Sequence, residues 1–345
     1  MNRGGPRLVL RADAGHGLGS GHVMRLTALA DAAMARGGEV LVIVGGEPGP
    51  TLDHLATRRI ASVPSDDATG GDDDRTRVIA HARTLGADTV VVDGPSFSPS
   101  YVLALADAGL RVASLDDLGT TPLPTTMVIN HNLGAEELAA CYPAAAVRML
   151  GRPFHLLRRE FRRLSPAGPP PRARARRVVI TMGGSDPAGA TSRALRAIGG
   201  SGLEIVVVLG PDFRCDEALT HALATAEARG HDVKVLYRPR ELPAIMADCD
   251  VAVSAAGGTL AELGYLGRPT VALAIVADQV DNARRHVDRE LAVCGQRLTD
   301  MADGELAAAV AELLADQAKR RRLRDRSAAA LDGRGAERVI ERLAA

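Results

Sequence analysis

The sequence predicts an α/β protein of two doubly wound domains, each a parallel sheet flanked by helices. Three observations carry that expectation. Short β-branched runs alternate with Ala- and Leu-rich segments of helical length, the pattern of βαβ units. The pattern occurs twice, before and after SPAGPPPRARARR at 165–177, where consecutive prolines and alternating arginines favour an extended spacer over a packed element. The 345 residues suffice for two domains at roughly 100 to 200 residues each. The expected division is an N-terminal Rossmann-like domain over 1–165, a linker over 166–176 and a C-terminal Rossmann-like domain over 177–345. Such a pair would hold ligand in a cleft facing the carboxyl ends of the strands.

In chain order, the first set of strands is expected at 7–11 (RLVLR), 40–44 (VLVIV), 89–93 (TVVVD), 111–115 (RVASL) and 127–130 (MVIN), with helices starting near His22, Arg75 and Ser98. Between the first strand and its helix runs DAGHGLGSGH, with glycines at 15, 17, 19 and 21. Glycine allows a sharp turn and close approach to a ligand, and a helix start offers free N–H groups to an anion. His22 stands at that start, where the helix dipole would keep it neutral near pH 7 and able to act as a base; it could equally cap its helix. Asp13 and His22 are the candidate catalytic residues, with Gly21 and Arg25 beside them as candidate ligand contacts and Asn130 at the end of the fifth strand as another.

The second set is expected at 177–182, 204–209, 233–236, 250–254 and 270–274. Its first loop, MGGSD, supplies Gly183, Gly184 and Ser185 as candidate nucleotide ligands, although Ser185 and Asp186 would also serve as helix caps. The loop SAAGGT places Ala256, Gly257, Gly258 and Thr259 at another helix start, suited to a diphosphate. Glu262, three residues after Thr259, fits a capping box as well as a ribose contact. ADQVDN then groups Asp278, Gln279 and Asn282 beyond the last clear strand. The acidic GGDDDR at 70–75 is expected to be a solvated turn, and the basic KRRRLRDR run from Lys319 a solvated helix face.

Composition narrows the function. Lys plus Arg and Asp plus Glu are each 42, so no net field draws the chain to nucleic acid, and with 2% aromatic residues and no Trp it lacks stacking platforms. A small-molecule substrate is expected. No apolar run approaches the ~18 residues of a membrane span, and the start has no signal-peptide stretch, so we expect a cytoplasmic protein without membrane insertion, monomeric or a weak homodimer. Cys141, Cys215, Cys249 and Cys294 are too far apart for a metal clip or redox pair, and no cofactor or metal is expected.

Together, RADAGHGLGSGHVMRLTALA, MGGSDP, SAAGGTLAELGYLGRPTVALAIVADQ and MLGRPFHLLRREF resemble the PseG family, the UDP-sugar hydrolases of pseudaminic acid biosynthesis, and the related SpsG-like spore-coat polysaccharide proteins. The resemblance spans roughly residues 7–282. It implies the GT-B architecture, similar to the lipid-linked GlcNAc transferase MurG, and release of UDP from a UDP-2,4-diacetamido-2,4,6-trideoxyhexose by attack of water without a metal. By the same resemblance His22 activates the water, Gly257, Gly258 and Thr259 hold the diphosphate, Glu262 lies on the ribose side, and Gln279 and Asn282 lie near sugar or phosphate. One feature departs from the family: Gly94 and Pro95 follow Asp93 where an aromatic, typically Tyr, is usual, so its hydroxyl is absent or is replaced by Asn130, His131 or Asn132. The alternatives are a GT-B glycosyltransferase that passes the sugar to a small acceptor, and a non-catalytic nucleotide-sugar-binding protein.

Overall fold

The computed structural model describes residues 5–15 and 20–345, so Gly17 and Gly19 of the glycine-rich loop lie outside the described residues. The chain divides into two compact units, Met1–Arg159 with Gly333–Ala345, and Glu160–Asp332. Among the described residues no helix is long and apolar enough to cross a membrane.

The first unit is built on β1 (Arg7–Ala14), β2 (Glu39–Gly46), β3 (Ala61–Ser65), β4 (Thr89–Asp93), β5 (Arg111–Leu115), β6 (Met127–Asn130) and β7 (Val147–Leu150). They form one sheet in the order β3-β2-β1-β4-β5-β6-β7, with every neighbouring pair parallel. Parallel strands need covering on both faces, which is why β1 and β4 read as near-continuous apolar runs. Leu8 and Leu10 face one layer with Val23, Leu26 and Leu29 of the helix Gly21–Met34, while Val9 faces the other with Val90, Val92 and Leu105.

The second unit contains β8 (Arg177–Thr181), β9 (Glu204–Leu209), β10 (Asp232–Tyr237), β11 (Val251–Ala255), β12 (Thr270–Ala274) and β13 (Val293–Arg297). This parallel sheet runs β10-β9-β8-β11-β12-β13. In each sheet the winding reverses once, between β1 and β4 and between β8 and β11. The loops leaving those strands splay to opposite faces there, and open α/β sheets bind ligands at such points.

The division of the chain differs from the sequence expectation in two respects. The helix Gly335–Leu343 belongs to the first unit, where Val339, Ile340 and Leu343 join its core. Gly335 permits that return: a Cβ there would lie 2.2 Å from the His155 carbonyl oxygen. The proline-rich segment is not a free spacer either, because three arginines of the second unit bind its carbonyls. Arg268 reaches Ala167 and Pro169, Arg324 reaches Ala167 and Gly168, and Arg320 reaches Arg172 and Ala173. Prolines lack N–H donors but keep their carbonyls, and guanidinium forks satisfy these. Arg320 therefore points inward from the basic helix Gln317–Ala330, whereas Arg321 and Arg322 are exposed.

The acidic triplet also departs from expectation. Asp72 and Asp73 are exposed at the start of the helix Asp72–Leu85, but Asp74 is fully buried. It accepts from Arg11 Nε at 2.9 Å, from Tyr101 Oη at 3.0 Å and from Gly70 N at 3.1 Å. A helix turn, rather than a solvated loop, carries the third carboxylate inward to a buried guanidinium.

Candidate functional site

At the first reversal point, β1 leads into the helix Gly21–Met34 and β4 ends on Asp93. His22 and Arg25, three residues apart, share a helix face. Both reach Asp93. His22 Nδ1 lies 2.8 Å from Asp93 Oδ1, while Arg25 donates from Nε to Oδ2 at 2.6 Å and from Nη2 to Oδ1 at 2.5 Å. Arg25 Nη1 also donates to both carboxylate oxygens of Asp117, at 2.8 and 2.9 Å. Asp117 accepts further from Asn132 Nδ2 at 2.8 Å. Thus the helix after β1, the end of β4 and the loops after β5 and β6 each deliver a polar group.

The electrostatics follow from one cation set between two carboxylates. Burial alone would lower the His22 pKa, but the hydrogen bond and charge of Asp93 outweigh it and raise the net value above 6.5. Burial acts to raise Asp93 and Asp117; Arg25 prevails in both, bringing Asp93 below and Asp117 well below the usual carboxylate range. Arg25 is itself pushed well above its ordinary value despite burial, because two carboxylates hold it. The dipole argument made from sequence is corrected here: the carboxylate at Nδ1, not the helix start, controls the imidazole. The capping alternative is also not realised, since Ser20 is the N-cap and receives no side-chain hydrogen bond. With Nδ1–H assigned to Asp93, the Nε2 lone pair of the neutral ring is left for chemistry; no described residue bonds it, and the side chain is 22% exposed.

Other expected residues in this unit have different positions. Asp13 is not joined to His22: it is buried, and its Oδ1 accepts from Arg11 Nη1 at 2.6 Å and from Thr69 Oγ1 at 2.8 Å. Strand alternation sends it to the face holding Arg11 and Asp74. Asn130 is fully buried, donating to Tyr142 Oη at 2.9 Å and accepting from Asn132 N at 3.2 Å, so it shapes the turn that presents Asn132. Gly21 is exposed at the helix start. After Asp93, Gly94 adopts φ +141° and the chain buries Phe97 against Tyr101 and Arg11. No tyrosine hydroxyl is supplied by that loop. His131 and His155 stack in parallel, with centroids 4.6 Å apart. His131 Nδ1 accepts from Leu156 N, and His155 Nδ1 donates to the His131 carbonyl, which assigns both tautomers. Burial depresses both, His155 to about 4.

At the second reversal point, β11 leads through Ala256 and the N-cap Gly257 into the helix Gly258–Tyr265. Asn282 Nδ2 donates to the Ala256 carbonyl at 2.7 Å, and Gln279 Oε1 accepts from Ile275 N at 3.1 Å. A Cβ on Gly257 would lie 3.4 Å from Gln279 Nε2. The structure therefore brings the SAAGGT and ADQVDN loops together, while Asp278 is exposed. Glu262 is buried at 6% exposure, and because the cap is Gly257, Thr259 lies within the helix and the pair is not a capping box. Across β8, Gly183 adopts φ +79°, and Asp186 caps the helix Ala190–Ala197 through bonds of 2.8 Å from Ala190 N and Thr191 N. Gly183 and Gly184 pack beside Gly210, where a Cβ would come within 2.3 Å of the Gly184 carbonyl oxygen, and Ser185 is half-buried.

Sequence reasoning missed Asp93 and Asp117 as site residues, whereas Asn132 was among the expected alternatives. A carboxylate ending a central β-branched run, as in TVVVD, was the available signal, because a strand's last residue lies at the ligand-binding edge.

No family model matches the chain. One curated relative is an uncharacterized protein of Methanocaldococcus jannaschii, MJ1062, 22% identical over 212 residues; the match covers 58% of this chain and 43% of that protein, so the chain spans under half of its length. Among solved structures, MurG of Acinetobacter baumannii aligns with a TM-score of 0.64 at 16% identity, covering 98% of this chain and 99% of that one. MnaA of S. aureus, solved with UDP, gives 0.67 at 11% identity, covering 98% and 96%. The UDP-GlcNAc 2-epimerase of Neisseria meningitidis, bound to UDP-GlcNAc, gives 0.65 at 12%, covering 98% and 99%. The fold is thus GT-B, two Rossmann-like α/β units.

Proposed function

We propose that the chain is an enzyme that hydrolyses a UDP-activated amino or deoxy sugar, with His22 as general base. The observation that carries the reading is the Asp93–His22 pair at the first reversal point, its Nε2 left for a substrate proton. In this reading Nε2 takes a proton from water, the water oxygen bonds to the anomeric carbon, and the bond from that carbon to the diphosphate oxygen breaks. Asp93 stabilises the imidazolium and fixes its ring, the role of the third group in a nucleophile–base–orienter arrangement. The departing UDP keeps the electron pair. In the second unit, backbone N–H groups at Gly257, Gly258 and Thr259, with Gly183, Gly184 and Ser185 across its reversal point, are the candidate contacts of a UDP diphosphate, and Glu262 is the candidate on the ribose side.

The UDP ligands in the MnaA and epimerase structures support the choice of nucleotide. The second reading is transfer to a small acceptor hydroxyl or amine, favoured by the likeness to MurG; the same base would deprotonate the acceptor. The deciding experiment incubates the protein with a panel of UDP-sugars, with and without acceptors and EDTA, and follows UDP and free sugar. Hydrolysis gives equimolar UDP and free sugar in buffer alone, including with EDTA. Turnover only with an acceptor present overturns hydrolysis in favour of transfer, and absence of both with intact UDP binding leaves a binding protein.

A further inference from the structure

We propose that Asp117 is a positioning residue for the base, acting through Arg25 to orient the Asp93–His22 pair and to keep an uncompensated negative charge beside the imidazole. The geometry is a chain of four side chains from three elements. Arg25 uses Nε and Nη2 on Asp93 and Nη1 on both oxygens of Asp117, so its guanidinium plane is set by two carboxylates at once. That plane in turn fixes the carboxylate that His22 contacts.

Asp117 is itself held firmly. The preceding Asp116 closes a turn, its Oδ1 accepting from Leu118 N at 2.8 Å and Gly119 N at 2.9 Å, and Asn132 anchors the Asp117 carboxylate from the next loop. Its side chain is 25% exposed, against 0% for Asp93. Charge balance supplies the physical reason for a second carboxylate. At the imidazole, burial and the Arg25 charge oppose protonation, while the hydrogen bond and charge of Asp93 favour it. Asp117 leaves the group one negative charge in excess, which favours the protonated ring. Among the described residues, the charged groups acting on His22 are Asp93 from β4, Arg25 from its own helix and Asp117 from the loop after β5. His131, from the loop after β6, adds no charge because burial keeps it neutral.

The inference rests on the His22 reading only for its consequence on rate, so its test needs no substrate. In the full-length protein with labelled histidine, the His22 resonance, assigned by its loss in His22→Gln, is titrated by NMR. The wild-type midpoint is expected above 6.5. Asp117→Asn should lower it, by up to about one pH unit, the upper scale of one nearby charge, while charge-conserving Asp117→Glu should leave it near wild type. An unmoved midpoint in Asp117→Asn, or equal lowering in Asp117→Glu, overturns the proposal. If Asp117→Asn does not melt cooperatively, Arg25→Gln is read instead: removal of the cation should raise the midpoint, and an unchanged or lower value overturns the proposal. UDP binding, measured separately by calorimetry, reports on the nucleotide-sugar reading and not on this one.

Discussion

The imidazole of His22 shows how one side chain depends on groups distant in sequence. Nδ1 is committed to Asp93, 71 residues away, and Nε2 is left for chemistry. His22→Ala is therefore expected to slow turnover by roughly 10²- to 10⁴-fold with UDP affinity retained; an unchanged rate on an identified substrate would remove the base. As the proposed base, His22 would work in its neutral form, and its pKa is raised, so activity should fall as pH drops through a midpoint above 6.5, and Asp93→Asn should move that midpoint to lower pH. The linkage has the opposite sense: a raised folded pKa contributes stability that is fully present below 6.5 and is lost as pH rises through the folded value. A second residue-scale prediction concerns the fully buried pair Arg11 and Asp74. Asp74→Ala would leave a guanidinium short of a partner in the core and should cost about 3–5 kcal/mol, read by urea unfolding. A cost under about 1 kcal/mol would mean that Asp13 and Thr69 satisfy Arg11 without it.

Among the elements, the central strands were legible and, β10 apart, the edge strands were not. RLVLR, TVVVD, EIVVVL and TVALA are apolar because both sheet faces are covered, and apolar runs of that length stand out. The strands that escaped notice, β3 (ASVPS), β7 (VRML) and β13 (VCGQR), all lie at sheet edges. An edge strand needs fewer apolar residues and tolerates Pro or Gly, so its pattern is weak. Loops showed the same contrast. Glycines marked Gly257–Gly258 and Gly183–Gly184, but the stitching of one loop to another through Asn282 was visible only in the fold. Asn282→Ala should free the Ala256 carbonyl, loosen the loop and weaken UDP binding several-fold with little change in melting temperature. Calorimetry checks this, and equal affinity would detach Asn282 from the nucleotide side.

For the molecule as a whole, the last helix closes the first unit. Val339, Ile340 and Leu343 are essentially fully buried there, and each such side chain contributes roughly 1.5–3 kcal/mol. Deleting residues 333–345 should therefore unfold or strongly destabilise the first unit, seen as loss of its share of the melting transition by calorimetry. An unaltered melt would show that the helix adds nothing to that core. Acid should act on the same unit. His131 and His155 have folded pKa values depressed below 6.5, so the unfolded chain binds protons first, and stability is lost as pH falls from 6.5 toward about 4, the folded value of His155. Replacing both by Gln should flatten that slope between pH 6.5 and 4 in chemical denaturation.

The sequence by itself determined the α/β class, the two parallel sheets and the glycine-marked loops at their carboxyl ends, because side-chain periodicity and backbone permissiveness are local properties. Only the tertiary structure decided that Asp93 and Asp117 surround Arg25 and His22, that Asp13 belongs to a separate buried network, and that residues 335–343 return to the first unit. Strand order sets those neighbours. In a parallel sheet adjacent strands are joined through crossovers, so β1 meets β4 with some 75 residues between them, and a charge brought that far acts through distance in space, which no spacing along the chain encodes.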